Sequence, residues 1–158
     1  MKTLLLIRHA KSDWPENMKD FDRPLAEKGF NDAEKMSNYL FEENILIDQM
    51  ITSPAYRAKT TCSIFAEKYK MKFSEDAELY FAQNSEFINA ISKADENASS
   101  LAIFSHNDGI SEFASSLCGD DLQFKTCAVA IFELKSETWA NFRKNSIVLK
   151  DYFSPKEI

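Results

Sequence analysis

Short apolar runs alternate along this chain with longer segments in which apolar residues recur every three or four positions. Strand candidates built around short apolar runs occupy 3–8, 48–53 and 100–105. Runs of this length and composition are typical of strands buried on both faces of a sheet. A polar turn joins two further strand candidates, 127–134 and 146–152.

Helical spacing fills the intervals between the strand candidates. It predicts helices over 25–43, 55–70, 84–94 and 108–118. The first carries apolar residues at Phe30, Ala33, Met36, Leu40 and Phe41, and the third places Phe87, Ile88 and Ile91 inward. Pro54 suits a first helical turn and Ser53 can cap it. The polar stretch 9–24 contains Pro15 and Pro24 and is expected to form a loop.

Alternation of strand and helix candidates predicts an α/β protein. We expect a mostly parallel sheet with helices on both faces, made mixed by the closing pair of strands. The 158 residues suffice for one domain, 1–158, with a core of its own.

Composition and charge narrow the class of protein. The net charge of −6 argues against nucleic-acid and membrane partners, and three glycines cannot build a glycine-rich phosphate loop. Cys62, Cys118 and Cys127 form no C-x-x-C pair, which favours reduced, buried thiols. The first apolar run is too short for a signal peptide or a membrane span, so we expect a cytoplasmic protein.

Chemistry-bearing residues cluster where the predicted strands end. Arg8 and His9 follow the first run, Arg57 comes shortly after the second, and His106 follows Ser105 at the end of the third. His9 and His106 are the only two histidines of the chain. Because the carboxyl ends of parallel strands lie along one edge, these side chains can meet in one crevice.

The residue types suit phosphoryl transfer. Guanidinium groups match phosphate oxygens, and a neutral imidazole can accept a phosphoryl group covalently. A second imidazole can donate to an oxygen, and the helix that begins near Pro54 adds a positive dipole end. Taken singly, each residue fits a salt bridge or a buried structural histidine equally well. If all of them had such structural roles, their positions would require three unrelated coincidences at three strand ends.

Several segments resemble the histidine phosphatase superfamily, which is phosphoglycerate mutase-like, and within it the SixA-type phosphohistidine phosphatases. The matching segments are Leu-Leu-Leu-Ile-Arg-His-Ala-Lys-Ser-Asp-Trp at 4–14, Asp-Arg-Pro-Leu at 22–25 with Gly29, Ser-Pro-Ala-Tyr-Arg-Ala at 53–58, Ser-His-Asn at 105–107, and 128–134 with Trp139. The resemblance implies a three-layer α/β/α sandwich with a six-stranded mixed sheet.

The resemblance also implies a site. His9 would be the phosphorylated nucleophile, Arg8, Arg57 and His106 would complete the phosphate pocket, and no metal or cofactor would be needed. Many relatives have Gly where Ala10 stands and Asn near Pro15, whereas the SixA branch commonly has Ala. Ser12 keeps a hydroxyl that can take part of the missing phosphate-binding role.

The second departure from most of the superfamily is that no general acid is evident in the sequence. Glu78 is the nearest carboxylate to the expected place, but its neighbours indicate a short strand and a solvated side chain. Asp13, Asp20, Asp22 and Asp108 are further candidates for which loop and capping roles are favoured. A site without an acid favours phosphohistidine, since imidazole leaves far more readily than an alkoxide.

The sequence therefore predicts a metal-independent phosphatase with a phosphohistidine intermediate on His9. The favoured substrate is phosphohistidine on a protein, and the short segment before the third helix leaves little room for a lid. A broad small-molecule phosphomonoesterase on the same pocket is the alternative, a mutase is less favoured, and a non-catalytic phosphate-binding module is the alternative of another class. Trp14, Phe21, Asp22 and Arg23 either line the mouth of the pocket or serve packing.

Overall fold

The computed structural model describes residues 1–142 and 146–158. In this part of the chain four helices alternate with the first five strands, and a sixth strand follows the fifth directly. The strands are β1 Lys2–Arg8, β2 Gln49–Thr52, β3 Ser74–Glu75, β4 Ser100–Ser105, β5 Val129–Leu134 and β6 Ile147–Phe153. The helices are α1 Glu27–Glu42, α2 Tyr56–Tyr69, α3 Asn84–Ser92 and α4 Gly109–Cys118. Short 3-10 helices cover Asp20–Asp22, Ala77–Leu79 and Pro155–Glu157.

All six strands form one sheet in the order β3-β2-β4-β1-β5-β6. β3, β2, β4 and β1 run parallel, whereas β5 pairs antiparallel with β1 and with β6. The predicted mixed, mostly parallel sheet is confirmed. Arg8 at the end of β1 lies opposite Ser105 of β4, and Thr52 of β2 lies opposite Phe104. This register brings the carboxyl ends of the three strands to one edge.

Helices cover both faces of the sheet, which confirms the three-layer sandwich. Since successive side chains of a strand point to opposite faces, Leu4 and Leu6 pack in one core and Leu5 and Ile7 in the other. The first core contains buried residues of α3 and α4 with Trp139, and the second contains those of α1 and α2. The central strands are thus apolar on both faces, as their continuous apolar runs predicted.

Local details differ from the expectations. Phe30 and Phe41 are 46% and 48% exposed, so the helical period of α1 included two residues outside the core. The chain also has an unpredicted strand, β3, of only two residues. Glu78 lies on the 3-10 helix Ala77–Leu79 rather than in a short strand, because Asp76 accepts a hydrogen bond from the Glu78 amide and starts a turn.

The start of α2 differs as well. The helix begins at Tyr56 after Ala55, so Pro54 precedes it and Ser53 does not cap it. The Ser53 hydroxyl accepts a 3.3 Å hydrogen bond from the Ala55 amide and is paired with His106. Ser53 therefore belongs to the strand-end cluster.

The cysteines are free, as expected, and two are buried, whereas Cys118 is only partly buried. No helix within residues 1–142 and 146–158 is both long enough and apolar enough to cross a membrane.

Candidate active site

A pocket of about 660 Å³ opens at the edge where β1, β2 and β4 end. Arg8, His9, Ser12, Arg57 and His106, the five site residues predicted from the sequence, all line its wall. Each side chain is positioned by the end of a strand or by the turn or helix that follows it.

His9 is oriented by its own backbone neighbourhood. Its Nδ1 lies 2.7 Å from the carbonyl oxygen of Ala10, which can only accept a hydrogen bond. Nδ1 therefore carries the proton and Nε2 keeps a free lone pair. The Ala10 amide donates to the Thr61 hydroxyl of α2 at 3.0 Å, which fixes this turn. The sequence thus presents a neutral imidazole with Nε2 available as a nucleophile.

Burial and charge keep His9 neutral. Burial lowers the pKa of His9 to about 4, the hydrogen bond to Ala10 opposes the shift, and Arg57, Arg8 and Arg23 reinforce it. The same cations that would hold a phosphoryl group therefore disfavour protonation of the nucleophile.

His106 stands beside His9, with ring centroids 5.1 Å apart. Its Nε2 lies 2.7 Å from the Ser53 hydroxyl oxygen, which ties the end of β4 to the end of β2. Burial, followed by the effect of His9, lowers the pKa of His106 to about 3. The buried Nδ1 has no hydrogen-bond partner in the described part of the chain.

Arg57 is held by Asp20, which lies on the 3-10 helix of the loop before α1. One guanidinium nitrogen donates to the Asp20 carbonyl oxygen at 2.7 Å and the other to Asp20 Oδ2 at 3.1 Å. Arg23 donates to Asp20 Oδ1 at 3.0 Å, and the Tyr80 hydroxyl donates to Oδ2 at 2.5 Å. One carboxylate thus positions two guanidinium groups in the wall of the pocket.

Asp20 is ionised in this network. The hydrogen bond from Tyr80, with those from Arg23 and Arg57, lowers the pKa of Asp20 to about 2. A carboxylate that holds its proton so weakly is a poor general acid near neutral pH.

Arg8 completes the cationic wall. It donates to the carbonyl oxygen of Phe124 at 2.8 Å. Burial lowers the pKa of Arg8, and Asp108 opposes this shift. The buried Nε atoms of Arg8 and Arg57 have no partner among the described residues. A guanidinium with free donors suits an anionic ligand.

About half of the chain matches the sequence model of a known protein family. Residues 4–80 match the sequence model of the histidine phosphatase superfamily (branch 1). This segment contains Arg8, His9 and Arg57, the residues that surround the pocket from β1 and α2. By this match residues 4–80 belong to the histidine phosphatase superfamily. The family match indicates a phosphatase enzyme.

Two relatives in sequence extend over most of the chain. An uncharacterized chloroplast protein of Arabidopsis thaliana is 29% identical over 152 residues, which cover 87% of this chain and 69% of that protein. An uncharacterized protein of Mycobacterium tuberculosis is 26% identical over 161 residues, which cover 95% of this chain and all of that protein, 100%.

Solved structures share the fold. A protein of Agrobacterium tumefaciens named as the phosphohistidine phosphatase SixA superposes with a TM-score of 0.84 at 23% identity, covering 98% of both chains. The protein histidine phosphatase SixA in complex with tungstate gives 0.83 at 20% identity, covering 98% of this chain and 97% of that one. A phosphoserine phosphatase variant of Entamoeba histolytica with bound phosphoserine gives 0.74 at 15% identity, covering 100% of both.

Two of the five carboxylates that the sequence offered as general acids, Asp20 and Asp108, line this pocket. Glu78 is exposed and does not line the pocket, whereas Asp20, Asp108 and Glu112 do. Glu112 was missed, although it follows Asp108 by four residues and so lies one helical turn further along α4. The pocket therefore contains carboxylates besides the ion-paired Asp20.

The mouth of the pocket is formed by part of the loop before α1. Trp14 and Arg23 line it, whereas Phe21 and Asp22 do not. The Arg23 guanidinium stacks 3.2 Å from the centroid of the Trp14 ring and donates to the Ser12 hydroxyl. Ser12 thus lies in the wall with its oxygen bound to Arg23. Tyr80 and Phe81, which the sequence did not single out, also line the pocket.

Metal ligands are not grouped in the described residues: no cluster of three or more His, Cys, Asp or Glu side chains there could hold an ion.

Proposed function

We propose that this chain, a single catalytic domain over residues 1–158, dephosphorylates phosphohistidine on a protein through a phosphoenzyme on His9. The observation that carries the proposal is the His9 imidazole, whose Nδ1 is bound to the Ala10 carbonyl and whose Nε2 is free beside Arg57 and His106. The compartment we propose is the cytoplasm, consistent with three free cysteines.

In the first step Nε2 of His9 attacks phosphorus, and the bond from phosphorus to the substrate imidazole nitrogen breaks. The released imidazole takes a proton from solvent. Arg8, Arg57 and His106 hold the non-bridging oxygens and spread their charge during transfer. In the second step water attacks phosphorus, the bond to Nε2 breaks, and inorganic phosphate leaves.

Phosphohistidine is favoured over alkyl phosphates by the state of Asp20. The carboxylate is already bound to Arg23, Arg57 and Tyr80 and holds its proton weakly. Imidazole needs less help from an acid than an alkoxide does, because it is the better leaving group. The names of the SixA structures agree with this choice of substrate.

A small-molecule phosphomonoesterase is the second candidate. Glu112 and Asp108 line the pocket and are exposed, so either can approach a leaving oxygen. The phosphoserine phosphatase among the structures of this fold shows that an alkyl ester is handled on the same architecture.

The two candidates are separated by turnover of a phosphohistidine protein and of phosphoserine under the same conditions. We expect kcat/KM to be higher for the phosphohistidine protein. Glu112→Gln should leave that value within about twofold, because no carboxyl proton is needed. Faster turnover of phosphoserine, together with a loss of at least about tenfold in Glu112→Gln, would establish the phosphomonoesterase instead.

The nucleophile is tested by His9→Ala, which should lower kcat by about 10³-fold or more, since a covalent step is removed. Trapping with labelled substrate should put label on the wild-type chain and none on the variant. Binding of phosphate without turnover by the wild type would instead identify a phosphate-binding module.

Metal independence is a separate expectation. Full activity should remain after dialysis against a chelator, because Arg8 and Arg57 supply the positive charge and His106 is a neutral hydrogen-bonding group. An activity restored only by added divalent ions would contradict this proposal.

A further inference from the structure

Beside the catalytic pocket lies a second groove of about 450 Å³. Four lysines line it, Lys11, Lys28, Lys125 and Lys156, together with Pro155 and Thr126. We call this feature the lysine groove. Its lysines are all exposed, whereas Pro155 is buried and forms part of the floor.

The lysine groove is continuous with the catalytic pocket. Arg8, Lys11 and Thr126 line both. A molecule whose phosphoryl group lies against His9 can therefore extend past Arg8 into the groove. The groove is placed to contact the part of a substrate next to its phosphorylated residue.

Positive charge is concentrated in the groove although the chain as a whole carries −6. Lys28 is paired with Asp32 at 2.7 Å, and the Glu157 carboxylate accepts a hydrogen bond from Ser154 at 2.6 Å. Lys11, Lys125 and Lys156 form no ion pair with any described residue. Three ammonium groups thus remain available to an anionic partner.

The walls of the groove are held by specific contacts. Gly29 follows Lys28 and lets α1 approach the loop after β1 so closely that a Cβ atom there would lie 2.1 Å from the Lys11 carbonyl oxygen. The Ala26 amide donates to that oxygen at 2.9 Å. Lys35 donates to the Pro155 carbonyl oxygen at 2.7 Å and fastens the opposite wall to α1.

The distribution of the lysines favours several separate carboxylates over one compact anion. They come from the loop after β1, from α1, from the segment before β5 and from the 3-10 helix Pro155–Glu157. Lysine offers a mobile point charge, whereas a fork of arginines is the usual partner of a single phosphate. Their methylene stems give the groove apolar walls for side chains of a peptide.

We propose that the lysine groove binds an acidic segment flanking the phosphorylated residue of a protein substrate. The inference rests on the proposed function and deepens it, because it specifies which proteins the pocket would accept. Glutamate or aspartate residues on one side of the phosphohistidine would pair with Lys11, Lys125 and Lys156 and lower KM.

Two peptides test this inference. Both contain one phosphohistidine, and one carries three glutamates on each side where the other carries glutamines. The wild type should show a kcat/KM about fivefold to tenfold higher for the glutamate peptide, since each of the three exposed ion pairs contributes a factor of about two. Raising the salt concentration should reduce this ratio, because exposed charges are screened.

Charge reversal locates the effect. In Lys125→Glu/Lys156→Glu the ratio of kcat/KM for the glutamate peptide to kcat/KM for the glutamine peptide should fall to one or below. Turnover of free phosphoramidate should stay within twofold of the wild-type value. The matched control is Lys72→Glu/Lys93→Glu, which makes the same change of charge at exposed lysines outside both pockets. The control should keep the wild-type ratio.

A binding measurement separates this inference from the proposed function. The unphosphorylated glutamate peptide should shift amide resonances around Lys125 and Lys156, and the glutamine peptide should not. Such shifts without turnover of either phosphopeptide would retain the groove and reject the phosphohistidine substrate. Equal kcat/KM values of the wild type for the two phosphopeptides would overturn the inference. So would amide resonances that shift with tripolyphosphate and not with the glutamate peptide.

Discussion

Single residues set the chemistry of this pocket through their hydrogen bonds more than through their identities. Asp20 shows this most clearly: its carboxylate and carbonyl oxygens accept from Arg23, Arg57 and Tyr80. Charge-assisted hydrogen bonds of this kind are stronger than neutral ones and fix the direction of a guanidinium group. We therefore regard Asp20 as a positioning residue for Arg57.

Asp20→Ala should weaken inhibition by inorganic phosphate about tenfold, because Arg57 loses the contacts that orient it. KM should rise more than kcat falls. Tyr80→Phe is the matched variant: it removes one hydrogen bond to Asp20 and keeps both to Arg57, so its effect should be smaller. Tighter phosphate binding in Asp20→Ala would show instead that the carboxylate competes with the phosphoryl group.

The protonation of His9 and His106 can be followed by the resonances of their imidazole rings. The pKa values of about 4 for His9 and about 3 for His106 mean that both imidazoles stay neutral above pH 5.5. Their ring resonances should not shift between pH 5.5 and pH 8, and His106→Gln assigns the two signals. Titration of the His9 signal near its ordinary value of 6.5 would contradict a buried neutral nucleophile.

Much of the site was predictable from residues adjacent in sequence to a strand end. Arg8, His9 and His106 were found because an apolar run stops beside them, and Arg57 because a helix follows the next run. The roles of Asp20 and Tyr80 gave no comparable signal. Their roles depend on tertiary contacts across 37 residues from Asp20 to Arg57 and 60 from Asp20 to Tyr80, which no local pattern records.

At the scale of elements, close approach of backbones decides where helices can lie. α1 packs against the loop that carries Lys11 and Ser12, and Gly29 is the residue at the contact. The periodicity of α1 predicted the helix but included Phe30 and Phe41, which are half exposed. The helical period identifies a broad apolar stripe along α1. Only the centre of this stripe, at Ala33, Met36 and Leu40, packs in the core.

Gly29→Ala should destabilise the fold by more than about 2 kcal/mol, since a backbone oxygen at 2.1 Å cannot move aside without displacing the loop. The control is Gly119→Ala. Gly119 has a φ of 78° and no atom of the described residues within 4 Å of its Cβ position, so only strain of about 1 kcal/mol is expected. Urea unfolding of both variants measures the difference. Equal losses would show that the Gly29 contact adjusts freely.

β3 is the shortest strand, and the sequence pattern does not predict it. Two residues are too few to produce an alternating pattern, and β3 exists because its backbone pairs with Ile51 and Thr52 of β2. Ser53 shows the complementary case. A residue suited to cap α2 instead binds His106, and the choice between these partners depends on the neighbouring strand.

The whole molecule is coupled to pH through the same buried imidazoles. Because their folded-state pKa values lie below 6.5, the unfolded chain binds more protons than the folded chain as the pH falls from 6.5 towards 4. Stability is therefore complete above pH 6.5 and decreases through this window. Asp20, whose pKa is lowered to about 2, loses its contribution only below about pH 3.8.

We expect the free energy of unfolding to fall by about 2 to 4 kcal/mol between pH 7 and pH 5. His9→Gln/His106→Gln should remove most of this dependence, because no group with a lowered imidazole pKa remains. Urea titrations at the two pH values measure both chains. An equal decrease in the variant would assign the pH dependence to other groups.

The two tryptophans of the chain lie in opposite surroundings. Trp139 is fully buried, with its Nε1 donating to the Ala98 carbonyl oxygen at 2.8 Å, whereas Trp14 is 73% exposed against Arg23 at the pocket mouth. Intrinsic fluorescence therefore contains two separable signals. Acrylamide will quench the long-wavelength emission of Trp14 first, and the blue-shifted emission of Trp139 will persist until the core opens. In Trp14→Phe the remaining light reports global unfolding alone, and the difference spectrum reports on the loop beside the phosphate pocket without any added dye.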